Sequence, residues 1–142
     1  MQIIVEDNYE NFSKRDALFL QRRIQEKPNI VLGLATGKTP LGMYRELCSM
    51  NLDLTQASSF NLDEYIGSSD YHSYMQENFF SKTNIKNTFF PQENNLEKYE
   101  DMIKQRGGID IQVLGIGRNG HIGFNEPGSS FLSKTRDRKS VV

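Results

Sequence analysis

A single histidine on a glycine-rich run is the first feature of this sequence whose residue types and spacing point to chemistry. Gly115-Ile116-Gly117-Arg118-Asn119-Gly120-His121-Ile122-Gly123-Phe124-Asn125-Glu126-Pro127-Gly128-Ser129-Ser130 places Asn119 two residues before His121 and Glu126 five after it. A side chain that hydrogen-bonds one imidazole nitrogen fixes the tautomer and leaves the other nitrogen to carry a proton. An isolated histidine is usually structural; one flanked in this way at a strand end is the better acid–base candidate. The run also satisfies G-x-G-x-x-G, but a dinucleotide fingerprint needs a helix to open at its third glycine. His121 to Gly128 is too rich in Gly and Pro for a helix interior. A nucleotide-binding module is therefore the weakest reading.

Two further clusters carry chemistry. In Asn61-Leu62-Asp63-Glu64-Tyr65, adjacent carboxylates on an extended chain point to opposite sides, so one can face a cleft while the other pairs structurally. A carboxylate beside a substrate carbonyl is a fair general base for moving a proton between neighbouring carbons; a solvated acidic loop has the same composition. In Thr36-Gly37-Lys38-Thr39-Pro40, a buried strand meets a helix start, where free N–H groups and the helix dipole favour an anion. Gly37 would admit a phosphate, with Lys38 and Thr39 as donors. The Walker A spacing is absent, and an ordinary capped turn accounts for the same residues.

The elements that must position these clusters alternate between strand and helix. Ile3-Ile4-Val5 reads as a short edge strand. A helix from Asn8 carries Phe12, Ala17, Leu20 and Ile24 at helical intervals and stops near Lys27-Pro28. The apolar run Ile30 to Ala35 fits a strand buried on both faces. Thr39 as N-cap and Pro40 as N1 start a second helix, with Leu41, Tyr44, Leu47 and Cys48 on its buried face. Ser59 to Leu62 forms the next strand. A short helix follows with Tyr74, Met75 and the core pair Phe79-Phe80. Leu96 to Arg106 is a helix closed by Gly107-Gly108, and Ile109 to Gly115 is a last strand. The pattern predicts an α/β fold with a mostly parallel sheet. All three clusters then lie at the carboxyl ends of strands, where such sheets bind ligands. His72 reads as a surface loop residue.

Bulk composition narrows the class further. The chain has 142 residues, with Lys+Arg 17 against Asp+Glu 18 and a formal net charge of -1, which argues against a nucleic-acid partner. One cysteine, Cys48, allows no internal disulfide and suits a reducing, cytoplasmic setting. The N-terminus lacks the basic region of a signal peptide, and no apolar run reaches the ~20 residues of a membrane helix. One Cys and two distant His give no zinc-site spacing.

Leu32-Gly33-Leu34-Ala35-Thr36-Gly37-Lys38-Thr39-Pro40, Phe60-Asn61-Leu62-Asp63-Glu64-Tyr65-Ile66-Gly67 and Gly117 to Pro127 together resemble the glucosamine-6-phosphate deaminase family, in order, from Met1 to Arg136. The sugar-lactonase family of the same fold is the nearest alternative. It typically has Asp-Glu-Arg where this chain has Asp63-Glu64-Tyr65, and it lacks the Phe124-Asn125-Glu126-Pro127 ending. The resemblance implies a Rossmann-like three-layer α/β/α domain. It further implies an aldose–ketose isomerase that deaminates an amino-sugar phosphate, a hydrolase of a C–N bond in amino-sugar breakdown, N-acetylglucosamine catabolism included. The implied catalytic residues are Asp63, Asn119, His121 and Glu126. Thr36, Gly37, Lys38 and Thr39 would bind the substrate phosphate, and Ser129 and Arg136 match positions of a regulatory phosphate site in allosteric members. No metal, redox or other cofactor is implied. The partner is a small amino-sugar phosphate, with no membrane or nucleic acid; a homo-oligomer is left open for a longer chain. A non-catalytic sugar-phosphate sensor is the alternative from another class.

Family chains are longer, continuing through strands that supply more basic phosphate ligands. Residues 1–136 are therefore expected to be the N-terminal part of one domain, the chain being truncated at the C-terminus. Asp137-Arg138-Lys139-Ser140-Val141-Val142 matches what a common sequencing adapter encodes in frame, and 137–142 is expected to be a non-native tail. So short a chain is expected to leave sheet edges and apolar faces uncovered and to have little or no activity.

Overall fold

Asn8 opens the first helix, as its side-chain oxygen accepts the Asn11 N–H at 2.9 Å, and α1 runs Tyr9–Glu26 until the chain nears Pro28. The computed structural model describes residues 2–136. After α1 come β1 (Val31–Leu34), α2 (Lys38–Ser49), β2 (Ser58–Asn61), α3 (Asp70–Asn78), a 3-10 turn (Phe80–Lys82), β3 (Asn87–Phe89), α4 (Leu96–Gln105) and β4 (Ile111–Gln112). The strands form one parallel sheet in the order β3-β2-β1-β4, with Val31 opposite Ser58, Phe60 opposite Phe89, and Leu32 opposite Ile111.

Side-chain alternation along the strands assigns the layers. Ile30, Leu32 and Leu34 join Ala17, Leu20 and Ile24 of α1, Met43, Tyr44 and Leu47 of α2, and Met75 of α3 in one core. Val31 and Phe60 face the other way, against Tyr99 of α4. The result is the expected α/β architecture with helices on both faces. From β1 the chain builds toward β3 on one side and returns to place β4 on the other. The strand order thus switches direction between β1 and β4, the place where sheets of this kind bind ligands.

Several elements differ from the sequence expectations. Ile3-Ile4-Val5 is not a strand: neither outer strand pairs with it, and Ile3 and Val5 are 75% and 87% exposed. Helix α2 begins at Lys38, so Gly37 and not Thr39 is the N-cap. Gly37 has φ +108°, a conformation that glycine adopts without strain, so the chain can turn into the helix two residues early. On the buried face of α2, Tyr44 and Leu47 are buried as expected, while Leu41 and Cys48 are only half-buried. β4 is only two residues long and not seven: it pairs with Leu32 and Gly33 of β1, and its last ladder bond runs from the Val113 N–H to the Gly33 carbonyl at 2.8 Å. β3 had no signal in the sequence. His72 lies on α3 and not in a loop, exposed, with its ring against Phe90 at 4.9 Å. Among the described residues β4 is one edge of the sheet, and Leu114, Ile116, Phe131 and Leu132 stand 50–106% exposed. The hexapeptide 137–142 lies outside the described residues.

Candidate acid–base site at the strand ends

The chain leaves β2 at Asn61, and two residues later the two carboxylates part company. Glu64 accepts the N–H groups of Tyr65 at 2.9 Å and Tyr71 at 3.1 Å on one oxygen, and of His72 at 2.8 Å on the other. It therefore caps the first turn of α3, where orphan N–H groups and the dipole favour an anion. Asp63 has no such duty. Its half-buried position, and secondarily the charge of Glu64, raise its carboxyl to about 6, which makes it a stronger base once ionised. We predict that Glu64→Ala costs about 1–2 kcal/mol, the range for losing a helix cap. A urea denaturation midpoint checks this; an unchanged midpoint would contradict the capping role.

The glycine loop after β4 is closed by its own backbone. The Gly117 N–H donates to the His121 carbonyl at 2.8 Å, the Gly120 N–H to Gly117 at 2.9 Å, and Ile122 and Asn125 exchange two bonds of 3.0 Å. No helix opens at Gly120, in keeping with the rejection of a dinucleotide fingerprint. The Asn119 amide nitrogen donates to Glu126 Oε2 at 2.7 Å, and Asn119 Oδ1 lies 2.6 Å from His121 Nδ1. The chemistry of the groups orients this chain of contacts. A carboxylate accepts only, so the amide NH2 must face Glu126 and its oxygen must face the imidazole. In the neutral ring Nδ1 therefore carries the proton and Nε2 keeps a free lone pair. Glu126 acts on His121 through Asn119 and not by direct contact.

The loop docks back over β2. A β-carbon on Gly123, whose φ is +58°, would stand 3.0 Å from Leu62 Cδ2 and 3.8 Å from Asp63 Oδ2. The Phe124 ring lies 5.5 Å from Tyr65 and 6.5 Å from Tyr71, and those two are 5.0 Å apart. The Tyr71 hydroxyl, which donates to that of Tyr65 at 3.3 Å, is raised by burial first and then by Tyr65, with the charge of Asp63 adding to the shift. Tyr71 thus links the Asp63–Tyr65 loop to the glycine loop. Sequence reading missed this aromatic trio, and its signal was faint: Tyr71 reaches the site only because Glu64 anchors the start of α3 there.

Tyrosine hydroxyls brace the remaining turn. Tyr44 donates to the Ala35 carbonyl and Tyr74 to that of Gly37, each at 2.6 Å. Tyr9 donates to Lys38 at 2.7 Å and accepts the Gly42 N–H at 2.8 Å. Gly37, Lys38 and Thr39 are exposed and Thr36 half-buried, so the Lys38 ammonium and the helix N-terminus are the positive features of this rim. Ser129 and Arg136 lie elsewhere. The Ser129 N–H donates to the Glu126 carbonyl at 3.0 Å, and Arg136 donates to Asn125 Oδ1 at 2.9 Å. Both are tied to the far end of the glycine loop.

Fold and site define a parallel α/β domain whose polar clusters follow the carboxyl ends of its strands. No family model matches the chain. It is 49% identical to the glucosamine-6-phosphate deaminases of Thermoanaerobacter sp. (strain X514), covering 95% of this chain and 60% of that one, and of Clostridium acetobutylicum, covering 99% and 67%. It is 44% identical to glucosamine-6-phosphate deaminase 2 of Bacillus subtilis. In solved structures it matches a monomeric glucosamine-6-phosphate deaminase with a TM-score of 0.88 at 45% identity, over 94% of this chain and 62% of that one. A 6-phosphogluconolactonase from Thermotoga maritima matches with a TM-score of 0.73 at 26% identity, over 86% and 62%. The chain belongs to the glucosamine-6-phosphate deaminase family. It spans about three fifths of the length of the first of these relatives.

Proposed function

We propose that the protein carrying this sequence converts glucosamine 6-phosphate and water to fructose 6-phosphate and ammonia. The observation that carries this is a half-buried Asp63 carboxyl, raised to about 6, beside a glycine loop that ties His121 Nδ1 to Asn119 Oδ1 at 2.6 Å. The closed sugar binds with its phosphate on Thr36, Gly37, Lys38 and Thr39. His121 Nε2 takes the proton of the C1 hydroxyl and returns it to the ring oxygen, which opens the ring. Asp63 then takes the C2 proton while the C1 oxygen gains one, which gives an enolamine, and Asp63 returns its proton to C1. After ketonisation to the imine, water adds and ammonia leaves. Every step is a proton transfer or the addition of water, so the chemistry calls for no redox or metal cofactor. An amino-sugar phosphate is the partner, and Ser129 and Arg136 belong to a regulatory anion site if the protein has one.

Ammonia release with stoichiometric fructose 6-phosphate tests the reading. Hydrolysis of a phosphosugar lactone without ammonia would replace it with the lactonase of the same fold, and binding without turnover with a sensor. Asn119→Asp is expected to keep activity and move the acid limb of the pH profile upward, because a negative neighbour favours the imidazolium and Nε2 must be free to accept. Loss of all activity, or an unmoved profile, would contradict the role given to Asn119.

A further inference from the structure

The glycines of the catalytic loop are not glycine for one reason. Gly120 and Gly123 have φ of +87° and +58°, where side chains are strained. Gly115 and Gly117 do not have positive φ, so their backbones suit any residue. Around Gly115 nothing stands within 4 Å of where a β-carbon would be. At Gly117 that position is filled: an added β-carbon would overlap Cε1, Nδ1 and Nε2 of His121.

We infer that Gly117 is a positioning residue for His121, its missing side chain being the seat on which the imidazole rests. The inference deepens the proposed acid–base role of His121 and rests on it. The seat and the Asn119 contact constrain the same ring from different directions: one blocks movement toward the loop backbone, the other ties Nδ1 at 2.6 Å. The two backbone bonds of Gly117, to His121 and from Gly120, close the turn that brings ring and seat together. The three atoms nearest a methyl group at 117 all belong to the far end of a side chain with two torsions. The ring can swing away without any change in the backbone, but it then loses the Asn119 bond. Gly117→Ala should therefore leave the fold intact and release the tautomer.

The test is nitrogen NMR of the two histidines in 15N-labelled chain, at a pH about two units above the ordinary imidazole value. His72→Asn assigns the signals. Unmodified His121 should show a protonated Nδ1 and a bare Nε2. Gly117→Ala should move it to the averaged pattern of a solvent-exposed histidine, and Gly115→Ala should leave it alone. An unchanged His121 pattern in Gly117→Ala would overturn the inference. Should that variant not fold, the unmodified chain decides: a nuclear Overhauser contact between His121 Hε1 and a Gly117 Hα proton supports the seat, and its absence overturns it. In an active full-length protein, Gly117→Ala should lower kcat by about 10²-fold, the lower range for a lost general base, with KM little changed. If the unmodified protein releases no ammonia, the functional reading fails while the NMR result still stands.

Discussion

Asp63→Asn is expected to lower ammonia release by about 10²–10⁴-fold, the contribution of a positioned acid–base group, without lowering stability at neutral pH. The amide keeps the shape but cannot take the C2 proton. The stability side follows from the raised carboxyl. Its folded-state value of about 6 lies above the unfolded value of about 3.9. Between the two the native state holds more proton than the unfolded chain, so stability falls as pH rises through that window. A neutral amide removes that fall, and at pH 7 the variant should melt no lower than the unmodified chain. The same value sets the activity profile: turnover that needs ionised Asp63 rises as pH climbs through about 6. Melting curves at pH 4 and 7, beside the ammonia assay, check both halves. A variant that loses stability at pH 7 would mean that Asp63 is a structural residue.

His121→Gln is the second large effect, again about 10²–10⁴-fold in kcat, with the fold unaffected. The residue is half-exposed on a loop whose turn is closed by backbone bonds. Glutamine can keep a contact to Asn119 but has no nitrogen that cycles between base and acid. The loss should depend on the substrate form. If His121 serves ring opening and Asp63 the later proton transfer, fast chemical opening of the sugar should spare the His121 variant more than the Asp63 variant. Equal, undiminished turnover in His121→Gln would remove the histidine from the mechanism.

Much of the fold was legible from residue types. The helix start at Asn8, the Pro28 stop and the apolar run of β1 each carry a local physical signal, and the structure follows them closely. The spacing of Asn119, His121 and Glu126 announced a constrained imidazole, although the order of contacts, with Asn119 between the other two, needed coordinates. What stayed hidden depended on distant partners. Asp63 and Glu64 differ only because α3 returns its N-terminus to Glu64. Asn87-Thr88-Phe89 becomes β3 because Ser58 and Phe60 offer it a ladder. Ile3-Ile4-Val5 has strand-forming residues but no strand to pair with. The start of α2 moved because the positive φ of Gly37, which no residue pattern prints, turns the chain early. Tyr65, Tyr71 and Phe124 are distant in sequence and meet only when the glycine loop folds over β2.

The most direct test of the central claim is ammonia release from glucosamine 6-phosphate by the full-length product of the gene that encodes this sequence, measured across pH 5 to 8 beside Asp63→Asn. The account predicts ammonia and fructose 6-phosphate in equal amounts, with a rate that rises through about pH 6 and nearly vanishes in the variant. Turnover of a phosphosugar without ammonia, or full activity in Asp63→Asn, would contradict it.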